Sequence, residues 1–275
     1  MTRVKNALVG LYRRMFPSNG VVLGDSREYV PGDDTRFINW NITAKTAVPF
    51  VDRICGDRGS DIIFAIDTSE SMKFGTKKQS KMALAADIAS ALTQLAKVNR
   101  DKIGLLLFSD VVEKYLQRCC YGEVFHHTIG QTINSGRRLG TDLLSALKFL
   151  NKVLRKGSTV IVICDTFALA KNRKATLEQF HHIAKKNDVI VIRTVDDNDI
   201  PPANIGKIVV EDGETGETLE IDTGDSVLMA EIFEKYSAYA RIIFRDVGDI
   251  GVKIMDANTK ISAGEFLFTF FKRFI

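Results

Sequence analysis

The sequence has no long apolar run, few cysteines and little net charge, and each of these absences excludes a class of protein. No stretch of about 18 or more uncharged apolar residues occurs, so no membrane-spanning helix is predicted. The formal net charge is only +4, from 38 Lys and Arg against 34 Asp and Glu, which disfavours a dedicated nucleic-acid-binding protein. The basic start lacks a secretory apolar region and a cleavage site, so we expect the protein to stay in the cytoplasm.

The four cysteines show no paired spacing, which excludes a disulfide framework and favours reduced thiols. Two adjacent cysteines and two adjacent histidines make a poor zinc site, because neighbouring residues chelate one ion badly. These four residues are Cys119, Cys120, His126 and His127. No glycine-rich phosphate loop, nucleophile elbow or thiol–imidazole pair is evident either, so no catalytic residue is predicted.

What the sequence does contain is typical of a globular protein: 45% hydrophobic and 26% charged residues over 275 positions. This length corresponds to one large domain or two modest ones, and it can bury a full core without disulfides or a structural metal. Changes in pattern divide the chain into three segments. We expect an N-terminal segment at 1–58, an α/β domain at 59–200 and a C-terminal segment at 201–275 packed on the same domain.

The middle segment alternates short apolar runs with helical periodicities. Strands are predicted at 61–67, 102–108, 111–116, 159–164 and 189–195, and helices at 80–98, 141–154 and 173–186. Ser80 is the predicted N-cap of the first helix, and the basic residues around Lys81 are expected on a solvated face. Apolar strands separated by helices indicate a parallel sheet covered on both faces. We therefore predict a doubly wound, mostly parallel α/β fold.

Both flanking segments carry patterns of their own. Apolar residues from Val4 to Met15 predict an amphipathic helix, which either packs on the α/β domain or lies on a membrane surface. Beyond it, the first segment has an irregular pattern. After residue 200, the pattern predicts a β-hairpin over 208–221 and a helix over 226–243. The phenylalanine-rich end, 266–275, is too short to cross a bilayer and is predicted to be a helix that docks on the core.

Acidic and hydroxyl side chains stand at the ends of two predicted strands and at the start of one helix. They are Asp67, Ser69 and Ser71 after the first strand, Thr141 and Asp142 at the helix, and Asp165 after the 159–164 strand. Ligands of open α/β sheets gather at the carboxyl ends of the strands, where these loops converge. Each piece alone is more often a turn or a helix cap, but the three together favour an all-oxygen site. Such donors suit Mg²⁺ or Mn²⁺, whereas zinc prefers Cys or His.

This set of residues resembles the metal-ion-dependent adhesion site of von Willebrand factor A domains. Asp67, Ser69 and Ser71 match the first loop of that site, Thr141 matches the second loop, and Asp165 matches the third. The resemblance implies a von Willebrand factor A-like fold whose ion is held by hydroxyls and water-bridged carboxylates. It also implies that one coordination position is left for an acidic side chain of a partner protein.

A second resemblance lies upstream, between Arg27 and Lys45, in the run REYVPGDDTRFINWNITAK. This run looks like the signature of the bacterial domain-of-unknown-function family 58, which precedes a von Willebrand factor A domain. The likeness extends over residues 20–273, with a C-terminal β-hairpin and helices. The chain departs from the family pattern at four positions, where the family usually has Asp, Arg, Ser and Phe. These positions are Asn39, Lys45, Cys164 and Thr166.

Within this signature, Arg36, Trp40 and Lys45 offer one aromatic side chain flanked by cations. They are candidates for binding a partner, as is Asp142 near the predicted ion. The simpler alternative is that Trp40 packs the segment on the sheet domain while Arg27 and Arg36 pair with the neighbouring acids. Both readings remain open from the sequence.

Members of this family are often encoded beside MoxR-type AAA+ ATPases. The resemblance therefore implies a non-enzymatic adaptor that works with such an ATPase in the chaperone-like assembly or activation of client proteins. One alternative is a Mg²⁺-dependent phosphoryl-transfer hydrolase, but Ser69 stands where those enzymes need a second Asp as acid and base. Another alternative is a membrane-surface scaffold, bound through the amphipathic N-terminal helix and the phenylalanine-rich end.

Overall fold

A central sheet of mostly parallel strands organises the protein in the computed structural model, which describes residues 2–16, 21–57, 60–75, 79–119, 140–199, 206–211 and 218–275. In chain order the strands are β1 (Val21–Glu28), β2 (Phe50–Asp57), β3 (Asp61–Asp67), β4 (Lys102–Phe108), β5 (Val112–Cys119), β6 (Thr159–Cys164), β7 (Asp188–Val195), β8 (Lys207–Glu211), β9 (Thr218–Asp222) and β10 (Lys253–Asn258). The helices are α1 (Thr2–Met15), α2 (Trp40–Thr46), α3 (Glu70–Lys73), α4 (Lys81–Asn99), α5 (Leu143–Val153), α6 (Thr166–Ala170), α7 (Arg173–Ala184), α8 (Ser226–Asp249) and α9 (Ala263–Phe274).

The main sheet runs in the order β10-β7-β6-β3-β4-β5, and of these described strands only β5 is antiparallel to its neighbour. Every residue of β6 is buried, and β3 is buried from Ile62 to Asp67. Strands that are apolar at consecutive positions need cover on both faces, which is why helices lie on both sides of this sheet. The doubly wound, mostly parallel α/β fold predicted from the sequence is confirmed.

The helices begin where their capping residues predict. The Ser80 hydroxyl accepts a hydrogen bond from the Ala83 amide at 3.1 Å, as expected for the N-cap of α4. The C-terminal helix α9 starts with a reciprocal capping box between Ser262 and Glu265. Helix α8 extends beyond the predicted end at residue 243 and reaches Asp249.

The C-terminal segment contributes a strand to the main sheet that the sequence pattern did not predict. Strand β10 pairs in parallel with β7, with Ile254 opposite Val191 and Ala257 opposite Thr194. As an edge strand, β10 is buried at only some of its positions, and polar residues occupy the others. It therefore lacks the continuous apolar run that identifies the central strands.

The N-terminal segment, irregular in sequence pattern, contains an antiparallel pair of strands. Strands β1 and β2 pair from Val21 opposite Asp57 to Glu28 opposite Phe50, with register shifts on either side of Leu23. Such shifts break the two-residue alternation by which a strand is recognised in sequence, because they move side chains to the opposite face. The β8–β9 hairpin, by contrast, forms where its pattern predicts it.

Two apolar clusters fill the space on the two faces of the main sheet. On one face, strand residues such as Phe64 and Leu105 pack with α1, α4 and α9. On the other face, residues such as Ile63 and Leu106 pack with α5, α7 and α8. This alternation along β3 and β4 follows from the opposite direction of successive side chains in a strand.

The first helix packs on the α/β domain, as the simpler sequence interpretation held. The Tyr12 hydroxyl is buried and donates a hydrogen bond to Asp101 Oδ2 at 2.6 Å, while the Ser60 amide donates to Asp101 Oδ1 at 2.6 Å. The predicted docking of the C-terminal helix is also confirmed, since Phe266, Leu267 and other apolar residues of α9 are buried in the same cluster. Over the described residues, no helix has the length and apolar character needed to cross a bilayer.

Two phenylalanines of α9 provide a matched test of this docking. Phe270 is fully buried, whereas Phe268 is 39% exposed on the same helix. We expect Phe270→Ala to lower the free energy of unfolding by about 3–5 kcal/mol, because it leaves a cavity in the core. We expect Phe268→Ala to cost less than about 1 kcal/mol. Urea denaturation measures both changes, and equal losses would contradict the assigned docking face.

Candidate metal centre

Three loops meet at the carboxyl edge of the main sheet. Asp67 is the last residue of β3, and Asp165 follows β6 directly as the N-cap of α6. Because β3 and β6 are adjacent and parallel, these two positions lie at the same edge. Thr141 comes from a third loop, which enters α5, and the neighbouring Asp142 amide donates to the Ser109 carbonyl oxygen at the end of β4 at 2.7 Å.

Asp67 is the centre of the hydrogen-bond network at this edge. Its Oδ1 accepts from the Ser69 amide at 2.8 Å, and its Oδ2 accepts from the Thr141 hydroxyl at 2.9 Å. The Ser69 and Ser71 hydroxyl oxygens are 3.0 Å apart and hydrogen-bonded. Four of the five residues that the sequence assigned to a metal site are therefore brought together by direct hydrogen bonds.

Asp165, the fifth residue, is fully buried and only half satisfied. Its Oδ1 accepts from the Ala168 amide at 3.0 Å, which caps α6. Within the described residues its Oδ2 accepts no hydrogen bond, and the Lys81 ammonium lies 3.5 Å from it. A buried carboxylate oxygen without a hydrogen bond is costly, so this atom identifies a place where a cation would be stabilised.

The two carboxylates, Asp67 and Asp165, repel each other when both are ionised. Burial, as the larger cause, and the charge of Asp165 together raise the pKa of Asp67 to about 7. The hydrogen bonds from Ser69 and Thr141 lower the pKa of Asp67 but do not offset these two effects. A divalent cation bound by both carboxylates would relieve their repulsion.

The donor chemistry fits a hard cation. Over the described residues, no group of three or more His, Cys, Asp and Glu side chains could hold a metal ion. The site at this edge differs in kind, because three of its five candidate donors are hydroxyls. An all-oxygen set with two carboxylates suits Mg²⁺ or Mn²⁺, which retain part of their water shell in protein sites.

For the signature segment between Arg27 and Lys45, the structure confirms one part of the simpler sequence interpretation and contradicts the other. Arg27 pairs with Asp33 and Arg36 pairs with Asp34, each at 2.6 Å, so the predicted internal ion pairs are confirmed. Trp40 is 70% exposed, so the interpretation that it packs the segment on the sheet domain is wrong.

Asn39 caps helix α2 by accepting a hydrogen bond from the Ile42 amide at 3.1 Å. Asparagine and aspartate are about equally good N-cap residues, so the change from the family's usual Asp to Asn39 preserves the start of this helix. Lys45 is exposed in the same helix. A partner-binding role for Arg36, Trp40 and Lys45 stays a prediction.

Asp142 has a structural role of its own. It accepts hydrogen bonds from the Ser145 amide at 3.1 Å and from the Ser145 hydroxyl at 2.6 Å, and so caps α5. The contact of Asp142 with a partner stays a prediction. Cys120, His126 and His127 lie outside the described residues.

Sequence reasoning missed two features of this edge. Lys81, expected on a solvated face, is buried against Asp165, and the sequence carries no sign of it because the two residues are far apart in the chain. Elements at this edge also expose three large apolar side chains, namely Phe74 after α3, Val111 in the β4–β5 turn and Phe167 in α6. The sequence contained one sign of these exposed side chains. Thr166 stands where the family usually has Phe, so the Phe follows at position 167, and Phe167 is 54% exposed.

Comparisons with known proteins agree with this architecture. The family described as "Protein of unknown function DUF58" matches residues 25–241. The uncharacterized protein Rv1480 of Mycobacterium tuberculosis is 25% identical over 261 residues, which span 94% of this chain and 80% of that protein.

Two solved structures share the fold at low sequence identity. The conserved hypothetical protein BatB from Bacteroides thetaiotaomicron has a TM-score of 0.53 at 16% identity, covering 78% of this chain and 96% of that one. An aerotolerance-related membrane protein from Bacteroides fragilis has a TM-score of 0.50 at 14% identity, covering 78% of this chain and 100% of that one. At these identities the likeness concerns the fold alone.

The raised pKa of Asp67 gives a pH test of the site in protein freed of divalent ions by EDTA. The native state keeps the Asp67 proton up to a pH of about 7, whereas the unfolded chain releases it near the ordinary aspartate pKa of 3.8. The native state therefore binds more protons in this window, and its stability falls as the pH rises. We expect the free energy of unfolding of the wild type to fall relative to Asp67→Asn between these pH values. Parallel profiles in denaturant titrations would contradict the raised pKa of Asp67 and therefore its burial beside Asp165.

Proposed function

The chain belongs to the family described as protein of unknown function DUF58, and we propose that it is a non-enzymatic protein-interaction module whose binding depends on a metal ion. Its fold is von Willebrand factor A-like, and this fold suggests a protein-interaction module. The observation that carries the metal dependence is the buried cluster around Asp67, in which one oxygen of Asp165 has no hydrogen bond.

The residues proposed to hold Mg²⁺ or Mn²⁺ are Asp67, Ser69, Ser71, Thr141 and Asp165. When bound, the ion supplies an electrophilic position that an acidic side chain of a partner can occupy. The protein's own residues prepare this position. Asp67 orients the Thr141 hydroxyl and the Ser69 amide, and Ser69 and Ser71 hold each other's hydroxyls. Ser71 is less buried than Asp67, Ser69 and Thr141, which makes its side the approach for a partner.

The exposed apolar side chains on the same loops support a protein as the ligand. Phe74 follows the α3 turn, Val111 lies in the β4–β5 turn, and Phe167 follows Asp165 by two residues. Isolated exposed apolar residues are ordinary on protein surfaces. Three of them on elements at the same edge as one polar site form the apolar and polar combination that is typical of interaction surfaces.

The partner we propose is a MoxR-type AAA+ ATPase, with the chain acting as an adaptor in the assembly or activation of client proteins. This part of the proposal rests on the family resemblance, and an ATP-driven partner favours the cytoplasm as its location. An acidic side chain on the ATPase or on a client would complete the ion's coordination.

The residues at the site support binding rather than hydrolysis. Ser69, with its hydroxyl hydrogen-bonded to Ser71, stands two positions after Asp67, where a phosphoryl-transfer enzyme of this type needs a second carboxylate. Divalent-ion-dependent turnover of a phosphate ester by the wild type, lost in Asp67→Asn, would overturn the interaction proposal.

Metal binding is tested by unfolding in EDTA and then in Mg²⁺ or Mn²⁺. At a concentration a hundredfold above its Kd, the ion stabilises the native state by about 2.7 kcal/mol. We expect this gain in the wild type and its loss in Asp67→Asn and Asp165→Ala. The control is Asp188→Asn, which alters an exposed carboxylate at the amino end of β7 and should keep the gain. Equal gains in all four proteins would refute the site.

Partner binding is tested by calorimetry with a MoxR-type ATPase of the same organism. We expect Phe167→Ser to weaken binding by about tenfold or more while leaving Mg²⁺ affinity unchanged, since this side chain is exposed beside the site. The control, Val98→Ser, alters an exposed apolar residue near the end of α4, away from the site loops. Binding that persists in EDTA and in Asp67→Asn would contradict metal dependence.

A further inference from the structure

Lys81 is a buried lysine in a position that disfavours its charge on two counts. Its side chain is only 2% exposed, and removing an ammonium from water is costly unless it is paired. It is also the first residue of α4, where the helix dipole is positive and repels a cation. A charged ammonium in this position needs nearby negative groups to stabilise it.

Two carboxylates provide this compensation. The Lys81 ammonium lies 2.9 Å from Asp199 Oδ1 and 3.5 Å from Asp165 Oδ2, and 5.9 Å from the centre of the Phe74 ring. The pairing is asymmetric. It is a direct hydrogen bond with Asp199, which belongs to the short turn after β7, and a longer ionic contact with Asp165.

The two carboxylates differ in how firmly they are held. Asp199 Oδ2 accepts hydrogen bonds from the Asp196 amide at 3.0 Å and from the Tyr236 hydroxyl at 3.4 Å. Asp165 Oδ2 accepts none within the described residues. The ammonium thus lies between an anchored carboxylate and a carboxylate oxygen of the candidate metal centre that accepts no hydrogen bond from the described residues.

We propose that Lys81 is an internal counter-cation that competes with the metal ion for Asp165, and that Asp199 limits this competition. The inference rests on the proposed metal site and adds a means of regulating it. A divalent ion at Asp165 and the ammonium repel each other across the shared carboxylate. The ion is therefore held less tightly than its five donors alone would hold it.

This competition couples metal retention to the partner. An acidic side chain that joins the coordination shell adds negative charge at the ion and offsets the repulsion from Lys81. By the reciprocity of linked binding, the partner then tightens the ion as much as the ion tightens the partner. Without a partner, the same carboxylate is balanced by the ammonium, so the loops stay folded around an internal ion pair.

The test is the Kd for Mg²⁺, measured by calorimetry on the full chain after chelation. We expect Lys81→Met to lower this Kd by about tenfold or more, because the competing charge is removed. We expect Asp199→Asn to raise it, because the ammonium then pairs with Asp165 alone. The matched control is Lys73→Met, which removes a lysine near Ser71 that is half-exposed and paired with Glu70 at 3.0 Å. It should change the Kd by less than about threefold, because solvent screens its charge.

A double variant keeps the test valid if Lys81→Met alone fails to fold. Lys81→Met alone leaves two buried carboxylates without their cation, whereas Lys81→Met with Asp199→Asn replaces the pair by neutral side chains that the fold tolerates better. We expect the double variant to bind Mg²⁺ more tightly than the wild type. If both variants bind with the wild-type Kd, the role of Lys81 is refuted while the metal site stands. If neither they nor the wild type bind Mg²⁺, both proposals are refuted.

Discussion

Two carboxylates buried side by side at one edge of a sheet are the constraint around which this molecule is arranged. Asp67 and Asp165 are both fully buried, and burial together with the charge of Asp165 raises the pKa of Asp67. The surrounding structure responds with hydroxyl and amide donors on Asp67, a helix start on Asp165 and an ammonium within reach of it. An apolar core alone would place no such groups there, and the proposed metal site rests on their presence.

The sheet positions these groups more than the loops do. Strands β3 and β6 pair in register, with Ile66 opposite Ile163, so the residues that follow them are fixed by the core on both faces. The first loop is held further by Thr68, whose hydroxyl oxygen lies 2.9 Å from both the Phe108 carbonyl oxygen and Glu113 Oε1 and shares its single proton between these two acceptors. Donors held in this way lose little entropy when they bind a ligand, which supports the proposed ion site.

Sequence reasoning reached the central strands and the main site residues, because both depend on local pattern. Strands such as β6 are continuous apolar runs, and the hydroxyl and acidic residues follow them at short spacing. It missed β10, whose edge position lets polar residues such as Asp256 interrupt the run, and the β1–β2 pair, whose register shifts disturb the alternation. The burial of Lys81 was missed for a different reason. Its partner Asp199 lies 118 residues away in the sequence, and only the folded chain brings the two residues together.

The two ends of the chain meet on one face of the domain. Tyr12 of α1 and Phe271 of α9 stack edge to face with ring centroids 6.2 Å apart, and both helices cover the same apolar cluster. During synthesis α9 follows every strand of the main sheet, so the apolar face that it covers stays partly uncovered until α9 has left the ribosome. Strand β10, which completes the β7 edge, also arrives late. Nascent or truncated chains that lack β10 and α9 therefore expose the β7 edge and an apolar face of the sheet, and both features promote aggregation.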